Sequence, residues 1–136
     1  MIDFTFEQID VFELNNDLII SWLTNVCVSE NKVCGPVSII FCSDDYLLSV
    51  NKEYLDHDYY TDIITFDYSA DSEVSGDLFI SIDRVKENAL TYNVLFLTEL
   101  YRVLVHGVLH LCGYGDKSVS EEKNMRSKED FYLSII

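Results

Sequence analysis

The chain has 136 residues, 49% of them hydrophobic, enough for one buried core and unlike a disordered or fibrous composition. Nine Lys and Arg stand against 24 Asp and Glu, and the formal net charge of −15 argues against a generally basic nucleic-acid-binding surface. No apolar run approaches the ~20 residues that cross a bilayer. Met1–Glu7 has neither the basic start nor the apolar stretch of a signal peptide, so a cytoplasmic protein with no membrane partner is expected.

No repeat, low-complexity run or proline-rich linker divides the sequence, and residues 1–136 read as a single domain. Ile2–Phe6 alternates apolar and polar residues, the period of a strand. Asn16 is placed as the cap of an apolar helix running to about Val28. Gly35 then introduces a strand, Val37–Cys42. Ser43 followed by Asp44 and Asp45 is a helix start, with the helix reaching about Leu55. Thr61–Asp67 and Gly76–Ile82 read as two strands joined by the polar turn Ala70–Ser75. Helices follow over Asp83–Tyr92, Thr98–Cys112 and from Ser120 to near the end. The order β-α-β-α-β-β-α-α-α predicts an α+β fold, a mixed four-stranded sheet packed with helices.

Function is written most densely in His106–Asp116, H-G-V-L-H-L-C-G-Y-G-D. His106 and His110 fall one turn apart on an apolar helix, so their imidazoles share a face, as two ligands of one metal ion do. Gly113 stands where helices commonly end on glycine and lets the chain turn back. Asp116 then arrives close enough to offer a carboxylate as third ligand. Two imidazoles and a carboxylate leave coordination positions open, as in a catalytic rather than a structural site. The metal site is thus expected on a helix and the turn after it. Gly107 occupies the place of the general base in the H-E-x-x-H peptidases, so a peptidase mechanism of that kind lacks a part. This glycine instead permits close approach of the helix to a strand, at roughly 1 kcal/mol relative to alanine.

The same residues resemble the signature of the YbeY-type endoribonucleases, which reads H-G-x-L-H-L-x-G-Y-D-H. His106, Gly107, Leu109, His110, Leu111, Gly113 and Tyr114 match it in order. Upstream, Thr61–Phe66 resembles the family's T-D-V-L-S-F segment and Gly76–Ser81 its G-D-I-x-I-S strand, with Asn51 where the family has asparagine. The resemblance implies a zinc-dependent, single-strand-specific endoribonuclease acting in ribosomal RNA maturation, with one Zn2+ per chain. It implies single-stranded ribosomal RNA as substrate, and a ribosomal subunit or assembly proteins as partners. Two positions depart from the pattern. Asp116 stands where the third ligand is usually histidine, a change that zinc accepts. Leu55 stands where an arginine is usual, which leaves Arg102 and Arg126 as candidate substitutes in holding a phosphate.

Two other functions fit parts of the sequence. One is a ribosome-associated RNA-binding assembly factor with a structural metal, favoured by Leu55 and the acidic charge. The other is a non-haem iron oxidoreductase, since two histidines and an aspartate also make the iron facial triad. Lys117, Lys123, Arg126 and Lys128, interleaved with Glu121, Glu122 and Glu129, read as a solvated mixed-charge helix in preference to a phosphate-binding face. Asp62 and Asp77 read as turn-ordering residues, and His57 with Tyr59 and Tyr60 as an exposed loop. Glu99 and Arg102 are assigned to a solvated or ion-paired helix face. Cys27, Cys34, Cys42 and Cys112 form no C-x-x-C and are expected to be buried free thiols.

Overall fold

The computed structural model describes residues 1–136 as four strands and five helices. In chain order these are β1 (Ile2–Glu7), α1 (Asn16–Ser29), β2 (Val33–Cys42), α2 (Asp44–Leu55), β3 (Ile63–Asp67), β4 (Glu73–Ser81), α3 (Ile82–Tyr92), α4 (Phe96–Leu111) and α5 (Val119–Leu133). The strands form one sheet in the order β1-β2-β4-β3. β1, β2 and β4 run parallel, and β3 is antiparallel to β4, so the sheet is mixed and the fold α+β as expected.

Alternation along the strands sends side chains to two faces. On one, Ile39, Phe41, Val74, Leu78 and Ile80 join Ile19, Leu23 and Val26 of α1 and Leu100, Leu104 and Val108 of α4 in the main core. On the other, Cys42, Leu47, Val50 and Ile64 form a smaller core beneath α2, with Tyr46, Phe66 and Phe79 packed against it. Helices therefore cover both faces, and the strongly apolar α4 is buried along most of its length.

Several boundaries differ from the sequence reading for identifiable reasons. Asn15, not Asn16, caps α1, its side chain accepting the Leu18 N–H at 3.1 Å. β2 starts at Val33 and carries Gly35 and Pro36 inside it, where the pairing with β4 shifts register, as a bulge allows. β4 begins at Glu73, so Asp77 lies within the strand rather than at a turn, where its carboxylate accepts from Tyr68 Oη at 3.2 Å. Ser81 ends β4 and caps α3 by accepting from the Arg84 N–H. Ser118 and Glu121 form a reciprocal capping box that starts α5 before Ser120.

Other expectations hold. Ser43 caps α2, and His57, Tyr59 and Tyr60 lie on an exposed loop. Buried Asn51 clamps that loop, its Nδ2 donating to the Tyr59 carbonyl at 2.9 Å. All four cysteines are free, but the expected burial holds only for Cys27 and Cys42; Cys34 and Cys112 are half-buried. Burial pushes the Cys42 thiol up to about 12, the behaviour of a packed rather than a reactive cysteine.

Gly107 sets how closely α4 approaches the sheet. A Cβ there would lie 2.8 Å from Ile63 Cδ1 and 3.0 Å from Leu78 Cδ1. Replacing Gly107 with valine is expected to force α4 off β3 and β4 and to lower stability by about 1–3 kcal/mol, the usual cost of overpacking. Urea unfolding followed by circular dichroism measures it; an unchanged midpoint would show that the contact yields.

Candidate metal centre

Along α4 the outward stripe is polar: Glu99, Arg102, His106 and His110 recur at helical spacing, while the remaining faces are apolar. A Schellman turn closes the helix. Gly113 takes φ +109°, its N–H bonds to the His110 carbonyl, and the Tyr114 N–H bonds to the Leu109 carbonyl, both at 3.0 Å. The turn aims the Tyr114 carbonyl at His110 Nδ1, 2.8 Å away. It also swings Asp116 back over the helix end.

Three donor atoms meet as a result. The Nε2 atoms of His106 and His110 are 3.0 Å apart, and Asp116 Oδ2 is 3.3 Å from each. A tetrahedral ion with ~2.0–2.1 Å bonds would set its ligand atoms about 3.3 Å apart. His110 Nδ1 faces a carbonyl and His106 Nδ1 faces the carboxylate of Glu129 at 2.6 Å, so both Nδ1 atoms are donors. Neutral imidazoles held this way turn two lone pairs toward each other and toward a carboxylate. Such a donor set fits a cation, and His106, His110 and Asp116 are the residues that could hold one.

His106 and Asp116 border a cavity of about 390 Å³ whose lining also includes Asp62, Glu99, Arg102, Arg126 and Glu129, with His110 just behind it. Asp62 immediately precedes β3, and its main-chain carbonyl accepts the Ser81 N–H at 2.9 Å, a bond that extends the β3–β4 pairing. Its carboxyl nevertheless belongs to the cavity, where burial raises it against the opposing pull of His106. Glu99 is not a solvated residue; it is buried, and that burial, aided by Asp62, pushes its carboxyl up. Burial alone would lower His106, but Glu129, Asp116 and Asp62 together raise it. Burial alone would raise Glu129, yet hydrogen bonds from His106 and Arg102 carry it below the usual carboxylate range.

The basic candidates separate. Arg102 Nη1 is 2.8 Å from Glu129 and its Nη2 2.8 Å from Asp130, so the guanidinium is already engaged. Arg126 is 64% exposed and its nearest acid, Glu129, is 3.8 Å away. Leu55 ends α2, partly exposed and outside the cavity lining. Nor is α5 an ordinary solvated helix: Met125, Glu129 and Tyr132 are buried, Lys128 pairs with Glu30 at 3.2 Å, and Lys117 and Lys123 are exposed. The sequence reading placed Glu129, which is buried, on a solvated helix and did not single out Glu30. Nothing in local spacing marks them, since each meets its partner through helix packing.

An α+β fold that sets two imidazoles and a carboxylate at the edge of a cavity is a framework that could hold a metal ion. The family description Endoribonuclease YbeY matches residues 2–136. A protein of that name from Flavobacterium psychrophilum is 52% identical over 136 residues, covering 99% of this chain and 96% of its own. Another from Parabacteroides distasonis is 45% identical over 130 residues, covering 96% and 92%. The solution structure of a Thermotoga maritima protein matches with a TM-score of 0.70 at 26% identity, over 97% of this chain and 87% of that one. The chain belongs to the YbeY endoribonuclease family.

Glu30 secures the far end of this assembly. Its carboxylate accepts from the Tyr114 and Tyr132 hydroxyls and from Lys128, joining the end of α1 to the motif turn and to α5. Burial opposes the charge, but these bonds outweigh it and hold the carboxyl below its ordinary value. A depressed folded-state value stabilises above the unfolded value and loses that contribution as pH falls through the folded one. Glu30→Gln is expected to cost about 1.5–3 kcal/mol at neutral pH and progressively less below about pH 4. Urea midpoints across that range test it; a penalty independent of pH would show that packing, not charge, is lost.

Proposed function

We propose that residues 1–136 act as one metal-dependent, single-strand-specific endoribonuclease domain in ribosomal RNA maturation, with one Zn2+ held by His106, His110 and Asp116. The observation that carries this reading is the convergence of three donor atoms at 3.0–3.3 Å, beside a cavity that His106 and Asp116 line, in a chain whose relatives are endoribonucleases. A divalent ion there supplies electrophilic stabilisation of a phosphoryl oxygen. The chain's own residues do the rest. Arg126, exposed and weakly paired, binds a phosphate in place of the arginine absent at Leu55. Asp62 and Glu99, whose burial favours the protonated carboxyl, are placed to share a proton with an oxygen of the scissile group. Ribosomal subunits or assembly proteins are the partners the family role brings, in a cytoplasmic setting. No single helix is long and apolar enough to cross a membrane.

The acidic balance of the chain keeps one competing reading in view: an RNA-binding assembly factor whose metal is structural. The iron oxidoreductase reading rests on the donor set alone, whereas the endoribonuclease relatives support nuclease chemistry. Purified protein is expected to cleave single-stranded RNA and spare duplex, and to lose cleavage on chelation. It should also lose metal and cleavage in a His106→Ala, His110→Ala variant. Arg126→Ala is expected to raise KM more than it lowers kcat, and to flatten the salt dependence of RNA binding. RNA binding that survives chelation without any cleavage by metal-replete protein would favour the assembly-factor reading. Full metal occupancy in the double variant would overturn the ligand assignment.

A further inference from the structure

His106 and His110 reach the same cluster by different supports. The turn immediately following α4 fixes His110 through the Tyr114 carbonyl. His106 has no local support. It depends on Glu129, 23 residues away on α5, whose Oε2 lies 2.6 Å from His106 Nδ1. The other oxygen, Oε1, accepts from Arg102 Nη1 at 2.8 Å. Arg102 sits one turn before His106 on α4 and extends its second nitrogen, Nη2, to Asp130 at 2.8 Å. Glu129 is 4% exposed, so water does not stand in for either bond.

We propose that Glu129, gripped by Arg102, is a positioning residue that keeps the His106 proton on Nδ1 and turns Nε2 toward His110 and Asp116. The inference rests on the reading of those three residues as metal ligands. The chemistry is directional. A carboxylate carries no proton and accepts at both oxygens, so it satisfies an imidazole N–H on one side and a guanidinium N–H on the other. Glutamine of the same size presents an amide NH2 to one of those two donors. The guanidinium of Arg102 is itself held at two points, Nη1 on Glu129 and Nη2 on Asp130, so its one charge-assisted bond to Oε1 restrains the carboxylate from the side opposite His106. A carboxylate behind a ligating imidazole also makes the ring a better electron donor, and loss of such a partner typically lowers metal affinity about 10–100-fold. Because Glu129 belongs to α5, docking of that helix becomes a requirement for a finished site on α4.

Two measurements test this together. In metal-free wild-type protein, long-range 1H–15N NMR of the imidazoles should show the His106 proton on Nδ1, and the opposite tautomer would overturn the proposal. Competition with a chelating indicator should then show Glu129→Gln binding Zn2+ about 10–100-fold more weakly than wild type at unchanged stoichiometry. The Co2+-loaded variant should show an altered visible spectrum. Arg102→Met should shift affinity in the same direction, and combining it with Glu129→Gln should add little. Wild-type affinity and spectrum in a folded Glu129→Gln variant would overturn the proposal. If Glu129→Gln does not fold, the wild-type tautomer and the Arg102→Met affinity still decide it. Absence of metal binding by wild-type protein would instead defeat the ligand assignment, an outcome distinguishable because the tautomer is read without metal.

Discussion

The structure turns on one electrostatic constraint: two imidazole nitrogens 3.0 Å apart, each with a carboxylate oxygen 3.3 Å away, and no proton assigned between them by their outer partners. Convergent lone pairs repel unless positive charge lies among them. With both rings neutral, the fold must hold the three side chains together against that repulsion, which a proton on His106 or a cation would relieve. The fold does so by burial. Leu100, Leu104, Val108 and Leu109 are inaccessible, so α4 cannot rotate to separate the histidines without exposing the main core. Each such side chain contributes roughly 1.5–3 kcal/mol on burial, well above the few tenths at stake in an exposed ion pair.

Close seating is the second half of that restraint. A glycine inside a helix costs about 1 kcal/mol against alanine, but Gly107 lets Ile63 and Leu78 pack directly on the α4 backbone. Asp62 immediately precedes Ile63 at the start of that strand, so the contact that seats the helix brings its carboxyl to the cavity. Packing and chemistry are thus set by the same approach distance. The glycine at the helix end has a different task. Gly113 has open space around it, and its positive φ, which other residues rarely adopt, is what the closing turn requires.

Much of the cluster was legible in the sequence because its logic is local. Helix periodicity alone aligns His106 with His110, and a glycine stop followed by a short return brings in Asp116. The sheet and its helices were legible for the same reason: alternation, capping residues and turns are short-range signals. The bounds that slipped lie where two signals compete, as at Asn15 against Asn16, or where a bulge around Gly35 and Pro36 interrupts a strand without ending it. Glu129, Glu30 and the burial of Glu99 were not legible. Acidic residues among lysines look solvated until helix docking places them beside an imidazole, two phenols or a second carboxyl. Asp62 lay between these cases, its place at the start of a strand readable and its cavity role not.

The same docking explains how so acidic a chain fits a polyanionic substrate class. Five acids, Asp62, Glu99, Asp116, Glu122 and Glu129, line the cavity against two arginines. Arg102 is spent on Glu129 and Asp130, and burial favours the neutral form of Asp62 and Glu99. What remains facing solvent beside the histidine–aspartate cluster is Arg126 and Glu122. Surface charge spread over the rest of the molecule is screened beyond about 8–10 Å at physiological salt, so a phosphate at the cavity responds mainly to these few groups. A divalent ion at the proposed ligands would add two positive charges at that point, against one from the exposed arginine. Metal and phosphate therefore belong to one electrostatic unit here. The negative charge that argues against RNA across the whole surface does not argue against it at the one place where the chain gathers donors that could hold a metal.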